Sequence, residues 1–229
     1  MKPPAFFLLI MLLGLLGLTG CAAQQPSLPE LTPGTGARED LGCAAVFPQG
    51  RWEFAHTIEF SMADGSGTTV LGVTSLAGEE IACALMTVEG FTLFEAVYRE
   101  KGGLEVRRAV PPFDNPAFAA GLMEDVRTIF RAPFPAKVQY GRVADNNPMC
   151  RYTGIDGRIT DILPAMAGCW QIRTYGADQA LSRSVAGRSC RKEGESLIPE
   201  YLELKGFGPT NYTLKMTLIH VENLGAVGK

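Results

Sequence analysis

From residue 51 onward, apolar and polar side chains alternate with a period of two, as in strands that bury one face. In 54–62, Phe54, Ile58, Phe60 and Met62 share a face with His56, and Ala55, Thr57, Glu59 and Ser61 point the other way. Asp64-Gly65-Ser66-Gly67 is a turn into a second strand, 68–76. Gly78-Glu79 leads to 80–88, apolar on both faces, and Glu89-Gly90 to 91–99. Lys101-Gly102-Gly103 leads to 104–110. Strands joined by such tight turns form an antiparallel meander.

The period then changes. Asn115 is placed to cap a helix with Pro116 at its first position. Phe118, Leu122, Val126, Ile129 and Phe130 recur at helical spacing, with Glu124 and Arg127 off the stripe, until Pro133 stops the helix. Such a stripe must cover something, and the open face of the first sheet is the available partner. After it the alternation returns. Cys150–Ile155 and Arg158–Leu163 flank Asp156-Gly157, a strong hairpin signal. Trp170–Tyr175 pairs with Leu181–Ala186, and Pro199–Gly206 with Tyr212–Glu222, whose Tyr212, Leu214, Met216 and Leu218 face one way. The sum is a mainly β chain, about eleven strands and one helix. That suits an incomplete, half-open antiparallel β-barrel with an amphipathic helix over its concave side. The segment 164–169 (PAMAGC) reads as a short covering turn.

Charge adds an exclusion. Lys and Arg number 21 against 24 Asp and Glu, so the basic face of a nucleic-acid binder is not expected. The first residues add a location. Lys2 precedes the apolar run 5–18, which is shorter than a membrane-spanning helix and matches a secretory signal peptide. Leu18-Thr19-Gly20-Cys21 resembles the bacterial lipobox, which implies cleavage after residue 20 and acylation of Cys21, for example with palmitate. An ordinary signal peptide cleaved near Ala22-Ala23 is the plainer alternative. Ala22, where an Asp would favour inner-membrane retention, points to an outer-membrane anchor facing the periplasm. Residues 21–42, rich in Pro, Gly, Ser and Thr, read as the lipidated terminus and a flexible tether, and 43–229 as one folded domain.

Of the six cysteines, five remain if Cys21 carries lipid, so they cannot all pair internally. A periplasmic location permits disulfides, and a bridge among Cys150, Cys169 and Cys190 is the favoured guess. There is no CxxC, and His56 and His220 stand far apart, so neither a zinc site nor a redox role is expected. The GxSxG, GxGxxG, P-loop and HExxH patterns are absent, and we expect no enzyme and no cofactor. His220, read on the apolar face of the last strand, leaves a hydrolase as a remote alternative. Binding is what remains: a curved apolar face under a helix either encloses an apolar ligand or is filled by its own side chains.

This layout, carried by 51–130 (RWEFAHTIEF, GFTLFEAVY, AGLMEDVRTIF) and 198–222 (IPEYLELKGFGPTNYTLKMTLIHVE), resembles the LolA/LolB-type carriers and receptors of lipoproteins. The likeness is one of layout, not of a short motif. It implies an apolar cavity for an acyl chain or lipidated protein, an outer-membrane lipoprotein in lipid or lipoprotein trafficking, and a periplasmic carrier as partner. Strand and helix parity then nominates Phe54, Ile58, Phe60, Leu85, Phe94, Leu122, Val126, Leu214 and Met216 as cavity lining. LolB-type receptors present an exposed leucine on an inter-strand loop to hand lipoproteins into the membrane. Leu76, before Ala77-Gly78, is the nearest counterpart, though it fits equally well as a buried strand end. The rival reading is a filled barrel, a scaffold docking an envelope complex by its outer surface.

Overall fold

A computed structural model describes residues 27–33, 42–144, 146–164, 169–208 and 211–225. The leader, Cys21 and most of the 164–169 turn lie outside the described residues. Among the described residues, thirteen strands form one antiparallel sheet. They are β1 (Thr32–Pro33), β2 (Arg51–Met62), β3 (Gly67–Ala77), β4 (Glu80–Met86), β5 (Thr92–Arg99), β6 (Gly103–Ala109), β7 (Lys137–Arg142), β8 (Pro148–Thr153), β9 (Ile159–Leu163), β10 (Trp170–Tyr175), β11 (Leu181–Glu193), β12 (Ser196–Gly206) and β13 (Tyr212–Gly225). One helix, α1 (Pro116–Phe130), connects β6 to β7.

The strand order is β1-β7-β8-β9-β10-β11-β12-β13-β2-β3-β4-β5-β6. Each half is a meander, and the last strand, β13, lies beside the first long one, β2, joining the halves at the centre. β1 and β6 are the free edges, so the barrel is incomplete, as the alternation predicts.

Two strands escape the sequence reading, β1 and β7, and β11 runs to Glu193 instead of Ala186. β1 matters most. The segment read as free tether includes residues 27–33, which lie against the sheet: Thr32 and Pro33 pair with Arg142 and Gly141 of β7, and Ser27 bridges to Ala180. The reason lies beneath. Arg151 and Asp161, opposed across β8 and β9, are buried as a bidentate ion pair at 2.7 Å, and the Arg151 Nη2 group donates a further bond, 2.8 Å, to the Pro29 carbonyl. A buried guanidinium needs those acceptors, and the strap supplies one of them.

Among the described residues the cysteines pair as Cys43–Cys150 and Cys169–Cys190, leaving Cys83 free and buried. One bridge thus falls within the expected trio. The other ties the 3-10 turn Cys43–Val46, just before β2, to β8. Burial pushes the Cys83 thiol up to about 12, which keeps it protonated and inert.

Candidate functional site

The candidate site is the concave face of the sheet and the helix lying on it. Asn115 starts α1 as predicted, its side-chain oxygen accepting from the Ala117 N–H at 2.9 Å and the Phe118 N–H at 3.3 Å. The buried ridge is turned slightly from the predicted stripe. Ala119, Met123, Ile129 and Phe130 are buried, Leu122 and Val126 flank them, and Phe118 is 40% exposed. Met123 is therefore the central contact.

The structure brings most of the nominated residues into one packed cluster under α1. Phe54, Ile58, Phe94 and Met216 are buried there, and Leu85, Leu122, Val126 and Leu214 pack against them. Phe60 lies on the same face nearer the rim, its ring 6.1 Å from that of Tyr212. The Phe130 ring stands 4.9 Å from that of Phe54 and 6.1 Å from His56. Around His56, Phe54, Phe130 and Leu202 the free space is about 10 Å³. That is room for a single water, far below the roughly 300 Å³ at which ligand pockets begin. With α1 seated, this part of the concave face is filled. Desolvation lowers the pKa of His56 to about 4, so its imidazole is neutral at physiological pH.

Parity failed at one strand. A bulge between Leu218 and His220 shifts the register of β13, so that Val221 packs on the core and His220 turns outward, its side chain 56% exposed and 3.8 Å from Glu222. Leu76 is a second correction. It lies one residue before the end of β3, 5% exposed against the core and paired with Ile81. The next turn at the opposite end of the strands, 87–91, does present apolar side chains to solvent: Val88 is 61% and Phe91 71% exposed. Two apolar residues flanking a Glu-Gly turn mark this tip in the sequence, although the period-two pattern assigns Phe91 to β5.

Alternation also missed the polar groups that hold α1. Asp125, on the helix and buried, accepts from Arg183 Nε at 2.6 Å and from the Tyr212 hydroxyl at 2.7 and 2.8 Å. Burial pushes the Asp125 carboxyl up while Arg183 pulls it down. Burial and the adjacent carboxylate both hold the proton on Tyr212. The three groups form a latch between helix and sheet. At the helix end, Arg131 donates to the carbonyls of Gly78 and Glu80 in the β3–β4 turn. On the solvent side, Glu124 takes Arg127 and Arg158, each at 3.0 Å, and Arg127 lies 4.2 Å over the Tyr98 ring.

Glu124, Arg127 and Arg158 line a cleft of about 200 Å³ between the end of α1 and the β8–β9 turn, with Glu100, Arg131, Phe134 and Asp156. None of the nominated lining residues reaches it. Its carboxylates, Glu100, Glu124 and Asp156, balance the guanidinium groups of Arg127, Arg131 and Arg158. Among the described residues, no group of His, Cys, Asp and Glu side chains is arranged to hold a metal ion.

No protein-family profile matches the chain, and no curated protein matches it in sequence. Solved structures do. The fold is similar to that of a LolA superfamily protein from Nitrosomonas europaea, at 12% identity and TM-score 0.53, over 81% of this chain and 91% of that one. It is also similar to a domain from Vibrio parahaemolyticus assigned to outer membrane lipoprotein sorting, at 7% identity and TM-score 0.49, over 82% and 91%. At such identities the likeness is one of fold, and the fold is the LolA-like open β-sheet with a helix on its concave side.

Proposed function

We propose that this LolA-like chain is an envelope lipoprotein, acylated at Cys21 in the outer membrane and facing the periplasm. Its concave face receives the acyl chain of a lipid or lipidated protein when α1 lifts. The observation that carries this reading is the construction of α1. One amphipathic helix covers an apolar face on a fold shared with a LolA superfamily protein, and polar contacts at Asp125, Glu124 and Arg131 hold it there. When the helix lifts, Asp125, Glu124 and Arg131 regain water in place of these contacts, whereas an apolar face stripped of its cover needs a new occupant. A soluble periplasmic carrier is the proposed donor, and Val88 and Phe91 take the membrane-transfer role first sought at Leu76. No catalytic step is assigned.

The roughly 10 Å³ of free space beneath α1 favours the second reading, a filled scaffold. One experiment separates the two. The mature chain with Cys21→Ser is purified from the periplasm, weighed by native mass spectrometry and titrated with a fluorescent fatty acid. A stoichiometric lipid mass and saturable uptake support the first reading, with Leu122→Asp lowering uptake at least tenfold at unchanged circular dichroism. A clean protein that ignores the probe even when Asp125→Asn loosens the latch decides for the scaffold.

A further inference from the structure

The strap at 27–33 has a geometric consequence for the lipoprotein reading above, on which this inference rests. A free tether would place 21 residues between Cys21 and Cys43, enough to let the body wander roughly 75 Å from the bilayer. With Ser27 bridged to Ala180, five residues separate the acylated cysteine from folded structure. Five residues span about 20 Å at full extension.

The strap also selects a side of the molecule. Ala180 closes the β10–β11 turn. The registers Ser61↔Gly67, Met86↔Thr92, Tyr175↔Leu181 and Gly206↔Tyr212 put that turn at the same end of the strands as the β2–β3, β4–β5 and β12–β13 turns. The anchor therefore leaves from the rim that carries Val88 and Phe91, 61% and 71% exposed. The opposite rim carries the β3–β4, β5–β6 and β11–β12 turns. Asp64, Glu89 and Asp178 lie in turns of the anchor's rim, and the β8–β9 turn, which meets the β10–β11 turn at Gly157 and Ala177, adds Asp156 and Arg158.

We propose that the docked strap seats this rim on the bilayer holding the anchor, with Val88 and Phe91 in the interface.

Gly141 gives a way to release the strap without touching the rim. A Cβ there would run into the Thr32 carbonyl oxygen and stand 2.8 Å from Leu31 Cδ1. The test uses the full acylated chain in vesicles of zwitterionic phospholipid with brominated acyl chains. Tryptophan is placed on the two rims in turn, as Phe91→Trp and as Leu224→Trp, over the buried background of Trp52 and Trp170. Quenching at 91 is expected to exceed that at 224 several-fold. The difference should vanish with Gly141→Ala. Mass spectrometry of the N-terminal peptide and vesicle flotation read the anchor separately. Acylated, floating protein with equal quenching at the two positions overturns the seating and leaves the lipoprotein reading intact. A chain not acylated at Cys21 removes both.

Discussion

The two halves of the sheet solve burial differently. In β2–β6 one face is apolar and the other meets water. Its ion pairs, such as Arg99–Glu80 and Arg99–Glu105, stand in solvent at 40–54% exposure. In β8–β10 both faces are covered. Cys150, Ile162 and Ile172 point to the core, while Asp161 and Leu163, buried on the other side, lie on the face that the strap reaches. Both disulfides end in or beside this half. Where one face is solvated, alternation and turns suffice. Where both are buried by short strands, cross-links and a matched ion pair carry the load.

The largest expected effect concerns the long covalent loop. Replacing Cys43 and Cys150 together by Ser opens a bridge spanning 107 residues, and should cost about 4–5 kcal/mol in urea unfolding, against about 3 kcal/mol for Cys169 and Cys190, 21 apart. Equal losses would show that the bridges act through native contacts and not through chain entropy. Next, Asp161→Ala leaves Arg151 buried without its partner and should cost about 3–5 kcal/mol. Glu105→Gln in the first half, by contrast, should leave the midpoint unmoved. A comparable fall for both would erase the distinction drawn between the halves.

The first half has its own sensitive group, His56. Its folded pKa of about 4 lies below the unfolded value of 6.5, so the unfolded state takes up the proton first as pH falls. Its stabilising share is complete above pH 6.5 and is lost progressively down to about pH 4, a total of about 3 kcal/mol. Urea midpoints measured across that window should fall for the native chain and stay flatter for His56→Gln. The smallest effect is at Cys83. Its buried, protonated thiol should resist alkylation in the folded protein and react only on unfolding.

The same contrast explains what the sequence made legible. The first meander and α1 were readable because β2 and β3 alternate cleanly and each turn of the meander carries Gly. β7 (KVQYGR) is short and polar, the end of β11 (GRSCRKE) continues through charge, and β1 has two residues, so no periodicity marks them. The nominated lining residues share the concave face because parity is local. That they form a packed core is a matter of volume, which parity does not measure. Asp125 went unnoticed because an acidic residue on a helix ordinarily faces water, and its partners, Arg183 and Tyr212, lie 58 and 87 residues away.

The sheet has two open edges, and they are guarded unequally. β6 displays Glu105, Arg107 and Arg108, whose charges discourage another strand from adding to it. β7 is covered in part by β1, pairing through two residues only. A chain whose strap has come away would offer β7 to a second molecule, and the proposed acylation at Cys21 would gather such chains in a plane where collisions are frequent. The Gly141→Ala protein should then elute as dimers or larger species at concentrations where the native chain is monomeric, so the strap would set the threshold for polymerisation.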